Sequence, residues 1–142
     1  MKTSKQGIDF IKSFEKFRSN AYLCEAGVLT IGYGHTRGVR LGDFCTMEQA
    51  EQMLAEDIEL AEKSVNKLSN LNLKQCQFDA LVSFAFNCGV HAFETSTLRK
   101  LILSNPADPN IKAEFNKWVW SKKKKSKGLM RRRNEEYRMY NS

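Results

Sequence analysis

The segment that decides the fold reads Ile8-Asp9-Phe10-Ile11-Lys12-Ser13-Phe14-Glu15 and continues further on as Val28-Leu29-Thr30-Ile31-Gly32-Tyr33-Gly34-His35-Thr36. In the first part, apolar residues recur at helical spacing, which predicts an amphipathic helix. Glu15 shares the apolar side of that helix, because it follows Ile8 by seven residues and Ile11 by four. A carboxyl group in low-dielectric surroundings favours its protonated form, which a general acid requires. A helix-end glutamate that reaches water or pairs with an arginine explains the same position.

In the second part, the period of the sequence changes from helix to strand. Glu25-Ala26-Gly27 predicts a turn, and Val28–Tyr33 predicts a β-strand. Gly32 and Gly34 leave one face of that strand without side chains, which often marks close approach of a ligand or of another backbone. A bulge in a small sheet is the alternative interpretation of the two glycines.

Three blocks of the chain, taken in order, resemble the phage-type lysozymes, glycoside hydrolase family 24. In that family a glutamate is followed nine positions later by an aspartate, or less often a cysteine. A threonine six positions further on then opens a Thr-Ile-Gly-Tyr-Gly-His-Thr run. Glu15, Cys24 and Thr30 have this spacing. Ala80–Gly89 and Gly128–Glu136 resemble the second and closing blocks, so the resemblance extends from about residue 8 to about residue 140.

The resemblance implies an α+β, lysozyme-like fold that is mainly helical. We expect a single domain over residues 1–142. Its small N-terminal lobe, about residues 1–65, would carry a short antiparallel sheet, and a larger helical lobe would cover about residues 66–142.

Capping signals predict where several helices begin. Thr46–Gln49 is a capping-box pattern that starts a helix running to the Asn70 region, and Ser96 can cap a short helix. Asp108-Pro109 suits an N-cap followed by proline at the first helical position. Gly128 is expected to interrupt the chain before a final helix over Leu129–Tyr140.

The resemblance also implies roles for individual residues. Glu15 would be the acid that protonates the leaving oxygen of a glycosidic bond, and Thr30 would position the attacking water, with inversion at the anomeric carbon. Cys24 would complete the catalytic set. Substrate binding is expected at Tyr33, Phe86, Asn87 and Ser96, and structural support of the site at Gly34, His35 and Arg132.

Cys24 stands where the family more often has aspartate. A thiol is mostly neutral at pH 7 unless its surroundings stabilise the thiolate. A thiolate at Cys24 could replace the carboxylate charge, or Glu25 could substitute for it. The chain could instead bind glycans and cleave them poorly or not at all. A small buried apolar cysteine with no role in chemistry is the simplest interpretation.

His35 is expected to bond a carboxylate or a carbonyl and to brace the strand behind the site. The chain has only two histidines, His35 and His91, and they lack ligand-spaced partners, so no metal site is predicted and no cofactor is expected. Nucleophilic catalysis by Cys24 and His35 is the sharpest competing hypothesis, but it leaves Glu15 unexplained.

The four cysteines contain no Cys-x-x-Cys and are expected to be reduced thiols.

Positive charge is concentrated near the C-terminus. The segment Lys117–Arg133 holds nine basic residues and no acidic one, so the rest of the chain is slightly acidic although the total is +7. This segment could be a solvated loop, or a surface that attracts anionic polymers of the bacterial envelope. Nucleic-acid binding, with Trp118 and Trp120 stacking on bases, is a third interpretation. No dedicated nucleic-acid partner is expected, because lysozyme-like chains also carry tryptophan and Arg-Arg here.

The function implied by the resemblance is that of an N-acetylmuramidase, which cleaves the β-1,4 bond between N-acetylmuramic acid and N-acetylglucosamine in peptidoglycan. We expect a monomer. Charged residues break up the N-terminus, so no signal peptide is predicted. The chain has no apolar run of eighteen residues or more, so no membrane span is predicted. The enzyme would be made in the cytoplasm and reach the wall through a separate membrane lesion, such as a phage holin. A catalytically silent peptidoglycan-binding homologue is the alternative.

Overall fold

A computed structural model describes all 142 residues and contains seven α-helices, one 3-10 turn and two antiparallel hairpins. The elements follow the chain in this order: α1 (Lys5–Glu15), β1 (Arg18–Leu23), β2 (Leu29–Gly32), α2 (Met47–Val65), the 3-10 turn (Asn66–Leu68), α3 (Gln75–Cys88), α4 (Val90–Glu94), α5 (Thr97–Ser104), α6 (Ile111–Phe115), β3 (Trp120–Ser121), β4 (Lys124–Lys125) and α7 (Lys127–Tyr140). The mainly helical α+β architecture confirms the predicted fold class.

Helix α1 is fixed at both ends by local chemistry. The Ser4 side chain caps its start by accepting from the Gly7 amide at 3.1 Å. Asp79 of α3 accepts from the Ser4 amide at 3.0 Å and also from the Ser4 hydroxyl, which attaches the start of α1 to α3. Lys16, with φ of 51°, ends the helix. Glu15 is therefore the last residue of α1, where the chain turns toward the first hairpin.

In the first hairpin, β2 is two residues shorter than the strand predicted over Val28–Tyr33. β1 and β2 pair antiparallel with Tyr22 opposite Thr30 and Leu23 opposite Leu29. Val28 belongs to the turn, since its carbonyl accepts from the Cys24 amide at 3.0 Å. Strand β2 ends at Gly32, where φ is 64°. The strand β1 was not predicted from the sequence, because its polar residues give little strand signal.

Helix α3 lies at the centre of the molecule and packs against α1, α2 and α7. The main hydrophobic core of 18 buried residues is built around it. In that core, Phe84 makes edge-on contacts with Phe93, Phe115 and Trp118. A second, small cluster of Ile31, Cys45 and Ala50 packs the first hairpin onto the start of α2. The end of α3 therefore meets the hairpin side of the molecule at a fixed position.

The capping box of α2 is confirmed, since Gln49 and Thr46 bond each other's backbone amides at 2.9 and 3.1 Å. Ser96 caps α5, as expected, by accepting from the Arg99 amide at 3.1 Å. Helix α2 itself ends at Val65, and the 3-10 turn continues it to Leu68.

Two predictions about the C-terminal helices were wrong. Asp108 does not cap α6, which begins at Ile111, because its carboxylate accepts from the Asn110 amide at 2.7 Å within a preceding turn. Gly128 does not interrupt the chain, because it lies in the first turn of α7, which Ser126 caps. The lysine run before α7 is an ordered hairpin, in which Lys122 and Lys123 form the turn between β3 and β4. No helix is both long and apolar enough to cross a membrane.

Candidate active site

A cavity of about 810 Å³ lies between the first hairpin and the helical part of the molecule. Its walls come from the end of α1, the first hairpin, the end of α3 and the region from Lys117 to Arg133. Six of the residues predicted from the sequence line this cavity: Glu15, Cys24, Thr30, Gly34, Phe86 and Asn87. The cavity places the proposed acid and both hairpin residues at one site.

Glu15 is held in the cavity wall by Arg132. A guanidinium Nη1 of Arg132 donates to Glu15 Oε2 at 2.5 Å, and the side chains are 5% and 16% exposed respectively. Arg132 in turn donates from Nη2 to Ser83 Oγ at 3.3 Å and from Nε to Glu136 Oε2 at 3.3 Å. The arginine is therefore fixed by α3 and α7 before it reaches the carboxylate of α1.

Gly34 is required by the position of Glu15. Its φ is 77°, and a Cβ built there would lie 2.9 Å from the Glu15 carboxyl carbon. Any side chain at this position would overlap the carboxylate. The glycine predicted to allow close approach therefore allows the approach of Glu15 itself.

Cys24 lies at the turn of the hairpin, half-buried in the cavity wall. Burial acts to raise the pKa of its thiol, but hydrogen bonds from the backbone of Val28, Ala26 and Gly27 and from the Thr30 side chain outweigh burial. The pKa of Cys24 is therefore lowered from its ordinary value. This direction favours the thiolate among the interpretations of Cys24.

Thr30 is buried beside Cys24 and has one hydroxyl proton to donate. Its hydroxyl donates to the Val28 carbonyl oxygen at 2.9 Å, and the Thr30 side chain also acts to lower the pKa of the Cys24 thiol. Because one proton serves one acceptor at a time, its direction depends on the charge of Cys24. A thiolate draws the proton toward sulfur, and a neutral thiol leaves it with Val28.

Glu25 is engaged by the opposite side of the cavity. Its Oε2 accepts from Ser126 Oγ at 3.0 Å, and Ser126 is the capping residue of α7. Nearby, the Lys122 side chain lies 3.2 Å from the place of a Cβ on Gly27. The Glu25–Ser126 bond thus joins the hairpin turn to the C-terminal region. The Glu25 carboxylate is therefore bonded to Ser126 in the cavity wall, and its substitution for the missing aspartate charge stays a hypothesis.

Phe86 and Asn87 face the hairpin from the end of α3. Asn87 is held by Arg133, whose Nη2 donates to Asn87 Oδ1 at 2.8 Å. Arg133 is fully buried, and its Nε lies 2.7 Å from Glu136 Oε1. Burial also raises the pKa of the neighbouring Cys88 thiol to about 11, although Arg133 opposes this. The sequence analysis did not predict that Arg133 and Glu136 position Asn87. Their only signal in the sequence is a three-residue spacing, which places an arginine and a glutamate side by side on a helix.

His35 lies behind the strand and outside the cavity lining. Its Nδ1 is 2.7 Å from Asp57 Oδ2, and its Nε2 is 2.9 Å from the Arg37 carbonyl oxygen. Arg37 Nη2 donates to the other Asp57 oxygen at 3.1 Å. His35 thus ties the end of β2 to α2. The Cys24–His35 pair has no support here, because the partner of His35 is Asp57.

Two residues expected to bind substrate lie elsewhere. The Tyr33 hydroxyl is 3.2 Å from Met47 Sδ, and its ring packs against Phe17. Ser96 is buried as the cap of α5, and its hydroxyl donates to the Phe93 carbonyl at 2.6 Å. Neither residue lines the cavity. Both belong to matching motifs, but Ser96 is buried and the half-buried Tyr33 packs beside Phe17 and Met47.

A mainly helical α+β protein with a Glu15–Arg132 pair in the wall of a cavity between a small hairpin and a helical core falls within the class of lysozyme-like glycoside hydrolases. The comparisons with known proteins are more specific. Residues 12–136 match the family model described as phage lysozyme, and the chain belongs to that family.

The similar proteins span nearly the whole chain. It is 42% identical to an endolysin of Acyrthosiphon pisum secondary endosymbiont phage 1, over 100% of this chain and 99% of that protein. Among solved structures, the muramidase domain of SpmX from Asticaccaulis excentricus has a TM-score of 0.84 at 34% identity, covering 99% of this chain and 98% of that one. The endolysin of Escherichia coli O157:H7 phage FAHEc1 has a TM-score of 0.84 at 37% identity, covering 99% and 93%.

Proposed function

We propose that the chain is a peptidoglycan hydrolase of phage lysis, an N-acetylmuramidase that cleaves the β-1,4 bond between N-acetylmuramic acid and N-acetylglucosamine. The observation that carries this proposal is the Glu15 carboxylate, held by Arg132 in the cavity that Cys24 and Thr30 also line. Membership of the phage lysozyme family and the likeness to endolysins and a muramidase domain support it.

Glu15 is the proposed general acid. It donates its proton to the glycosidic oxygen as the bond from that oxygen to the anomeric carbon breaks. The proton leaves a carboxylate behind, and the Arg132 guanidinium already bonded to Glu15 stabilises that negative charge. Because Ser83 and Glu136 fix Arg132, the stabilising group needs no rearrangement during the step.

Thr30 and Cys24 are proposed to act on the opposite face of the sugar. The Thr30 hydroxyl can accept from a water and donate to the Cys24 sulfur, so it can orient that water. The Cys24 thiolate accepts the proton of the water as its oxygen bonds the anomeric carbon. It also stabilises positive charge on the sugar ring. The product has inverted configuration, which requires a separation of about 6.5–9.5 Å between the acid and base groups to admit water.

The lysine-rich surface is proposed to attract anionic polymers of the envelope. Arg132 and Arg133 are buried in ion pairs and do not contribute to this surface. Lys122–Lys125, Lys127 and Arg131 are exposed and form it. The edge-on packing of Trp118 against Phe84 removes one of the two rings that base stacking would use. We propose action as a monomer at the cell wall.

The test is digestion of purified peptidoglycan, followed by borohydride reduction and mass spectrometry of the new chain ends. Muramitol ends are expected, because a muramidase leaves N-acetylmuramic acid at the reducing end. Glucosaminitol ends would assign the cleavage to the other glycosidic bond. Wall binding without new ends of either kind would identify a silent binding homologue.

A further inference from the structure

The two tryptophans of the chain have different environments, although they are two positions apart. Trp118 packs edge-on against Phe84 with ring centroids 5.5 Å apart, as part of the main core. Trp120 is 57% exposed. Both line the cavity that contains Glu15. An exposed indole in a wall of the proposed substrate cavity presents a large apolar surface that a bound ligand can cover.

The backbone around Trp120 holds the indole in place. Val119, which precedes it, is buried, and its carbonyl accepts from the Ser126 amide at 2.8 Å, closing the base of the second hairpin. Trp120 pairs with Lys125 across the hairpin. Lys125 Nζ lies 5.6 Å from the centre of the indole. The cation orients the ring and covers one face, so the opposite face remains available to a ligand.

We propose that Trp120 is a sugar-stacking residue, whose free indole face packs against the C–H face of a pyranose ring of the glycan strand. The inference rests on the proposed function, because it assigns the occupant of the same cavity. A pyranose presents a flat array of C–H groups with hydroxyls around its edge. A large rigid aromatic ring provides matching apolar area at little cost in conformational entropy.

The position of the ring favours a sugar over a nucleic-acid base. Trp120 lines the cavity together with Glu15 and Asn87, whereas the exposed lysines that would contact phosphates do not line it, apart from Lys117. Lys117 is bonded to Glu114 at 2.6 Å, so its charge is already paired. A bound strand that reaches Glu15 through this cavity would therefore bring a sugar ring against Trp120.

The test measures binding without cleavage, in a Glu15→Gln background, by calorimetric titration with a soluble hexamer of N-acetylglucosamine. Adding Trp120→Ala should weaken binding about five- to tenfold, whereas Trp120→Phe should retain most of the affinity. Phe44→Ala is the matched control, since Phe44 is another exposed aromatic residue, 65% exposed, that does not line the cavity. It should leave affinity unchanged. Circular dichroism verifies that each variant is folded.

Fluorescence provides a readout that a purely structural role of Trp120 would not give. The chain has only two tryptophans, so emission that is lost in the Trp120→Phe variant comes from Trp120. A blue shift of that component on adding the hexamer is expected, because the stacked sugar excludes water from the indole. With peptidoglycan and an otherwise unchanged protein, Trp120→Ala should raise KM about fivefold and change kcat less than about twofold.

Several results would overturn the proposal. Unchanged hexamer affinity in Trp120→Ala, or no measurable binding by the Glu15→Gln parent, would contradict it. So would a Trp120-dependent affinity for a single-stranded oligonucleotide in place of the sugar. Failure of the proposed function is distinguishable: Trp120-dependent hexamer binding by a protein that does not cleave walls leaves this inference in place.

Discussion

Glu15 and Arg132 lie 117 positions apart in the chain, yet a side-chain hydrogen bond of 2.5 Å joins them in the cavity wall. The bond connects the last residue of α1 to α7. Arg132 also bonds Ser83 of α3, so three helices determine where the proposed acid lies. The geometry of the site therefore depends on how α1, α3 and α7 pack together.

Cys24 should be the most reactive thiol of the protein near neutral pH. Because its pKa is lowered, the Cys24 thiolate forms at a lower pH than the thiolate of an ordinary cysteine. Its reactivity with alkylating agents should therefore begin to rise at a lower pH. Burial raises the pKa of Cys45 and raises that of Cys88 to about 11, so both stay protonated. Timed iodoacetamide labelling with peptide mass mapping measures the order in which the cysteines react. Labelling of Cys24 no faster than that of Cys88 would remove the thiolate from the mechanism.

The contact between His35 and Asp57 should stabilise the fold without a role in cleavage. Asp57→Asn removes the carboxylate that His35 and Arg37 both contact, and should lower the free energy of unfolding by about 1–3 kcal/mol. Urea denaturation measures the change. Glu56→Gln, the exposed neighbour on α2, is the matched control and should change stability by less than about 0.5 kcal/mol. Equal stability of the two variants would show that the contact contributes nothing.

Ser126 has two roles that substitutions can separate. It caps α7 through the Leu129 amide at 3.2 Å and donates to Glu25 across the cavity at 3.0 Å. Ser126→Ala removes both contacts and should destabilise the protein by about 1 kcal/mol. Ser126→Asp keeps a capping oxygen but places a second carboxylate against Glu25. Thermal unfolding should therefore show a smaller loss for Ser126→Asp when Glu25→Gln is also present. Identical behaviour in both Glu25 backgrounds would argue against the bridge.

The exposed lysines should matter for walls and not for small substrates. Lys123→Gln with Lys124→Gln should slow hydrolysis of intact walls at low salt, because it weakens attraction to polyanions, and added salt should erase the difference. Hydrolysis of a soluble oligosaccharide should not change. Lys100→Gln with Lys112→Gln removes the same charge from exposed positions elsewhere and serves as the control. A similar effect in both double variants would show that the net charge of the protein matters, and that the position of Lys123 and Lys124 does not.

The proposed acid could be predicted from the sequence because the signals for it lie in a short segment of the chain. Helical periodicity placed Glu15 on the apolar side of α1, and the motif spacing brought Cys24 and Thr30 to the same cavity. The resemblance implied Arg132 as structural support, but the residues alone could not show which of the three consecutive arginines, Arg131, Arg132 and Arg133, contacts Glu15. The contact depends on the rotation of α7 relative to α3, which turns Arg132 and Arg133 inward and leaves Arg131 exposed.

Motif membership did not predict where side chains point. Tyr33 and Ser96 lie in matching blocks, yet neither lines the cavity. The second hairpin was missed for a different reason. Its turn places Lys122 and Lys123 at φ of 50° and 70°, a conformation that propensity assigns to glycine or asparagine. Two cross-strand pairs flank this turn, and such pairing is not visible in a run of four lysines.

The most direct test of the account compares release of reducing ends from purified peptidoglycan by the unmodified protein, Glu15→Gln and Glu51→Gln. Glu51 is a matched control, because it is also paired with a cation, Lys12 at 2.8 Å, but lies outside the cavity. The account predicts that Glu15→Gln folds and loses activity by a factor of about 10² or more, whereas Glu51→Gln remains active. A folded Glu15→Gln that cleaves as fast as Glu51→Gln would contradict the assignment of Glu15 as the acid.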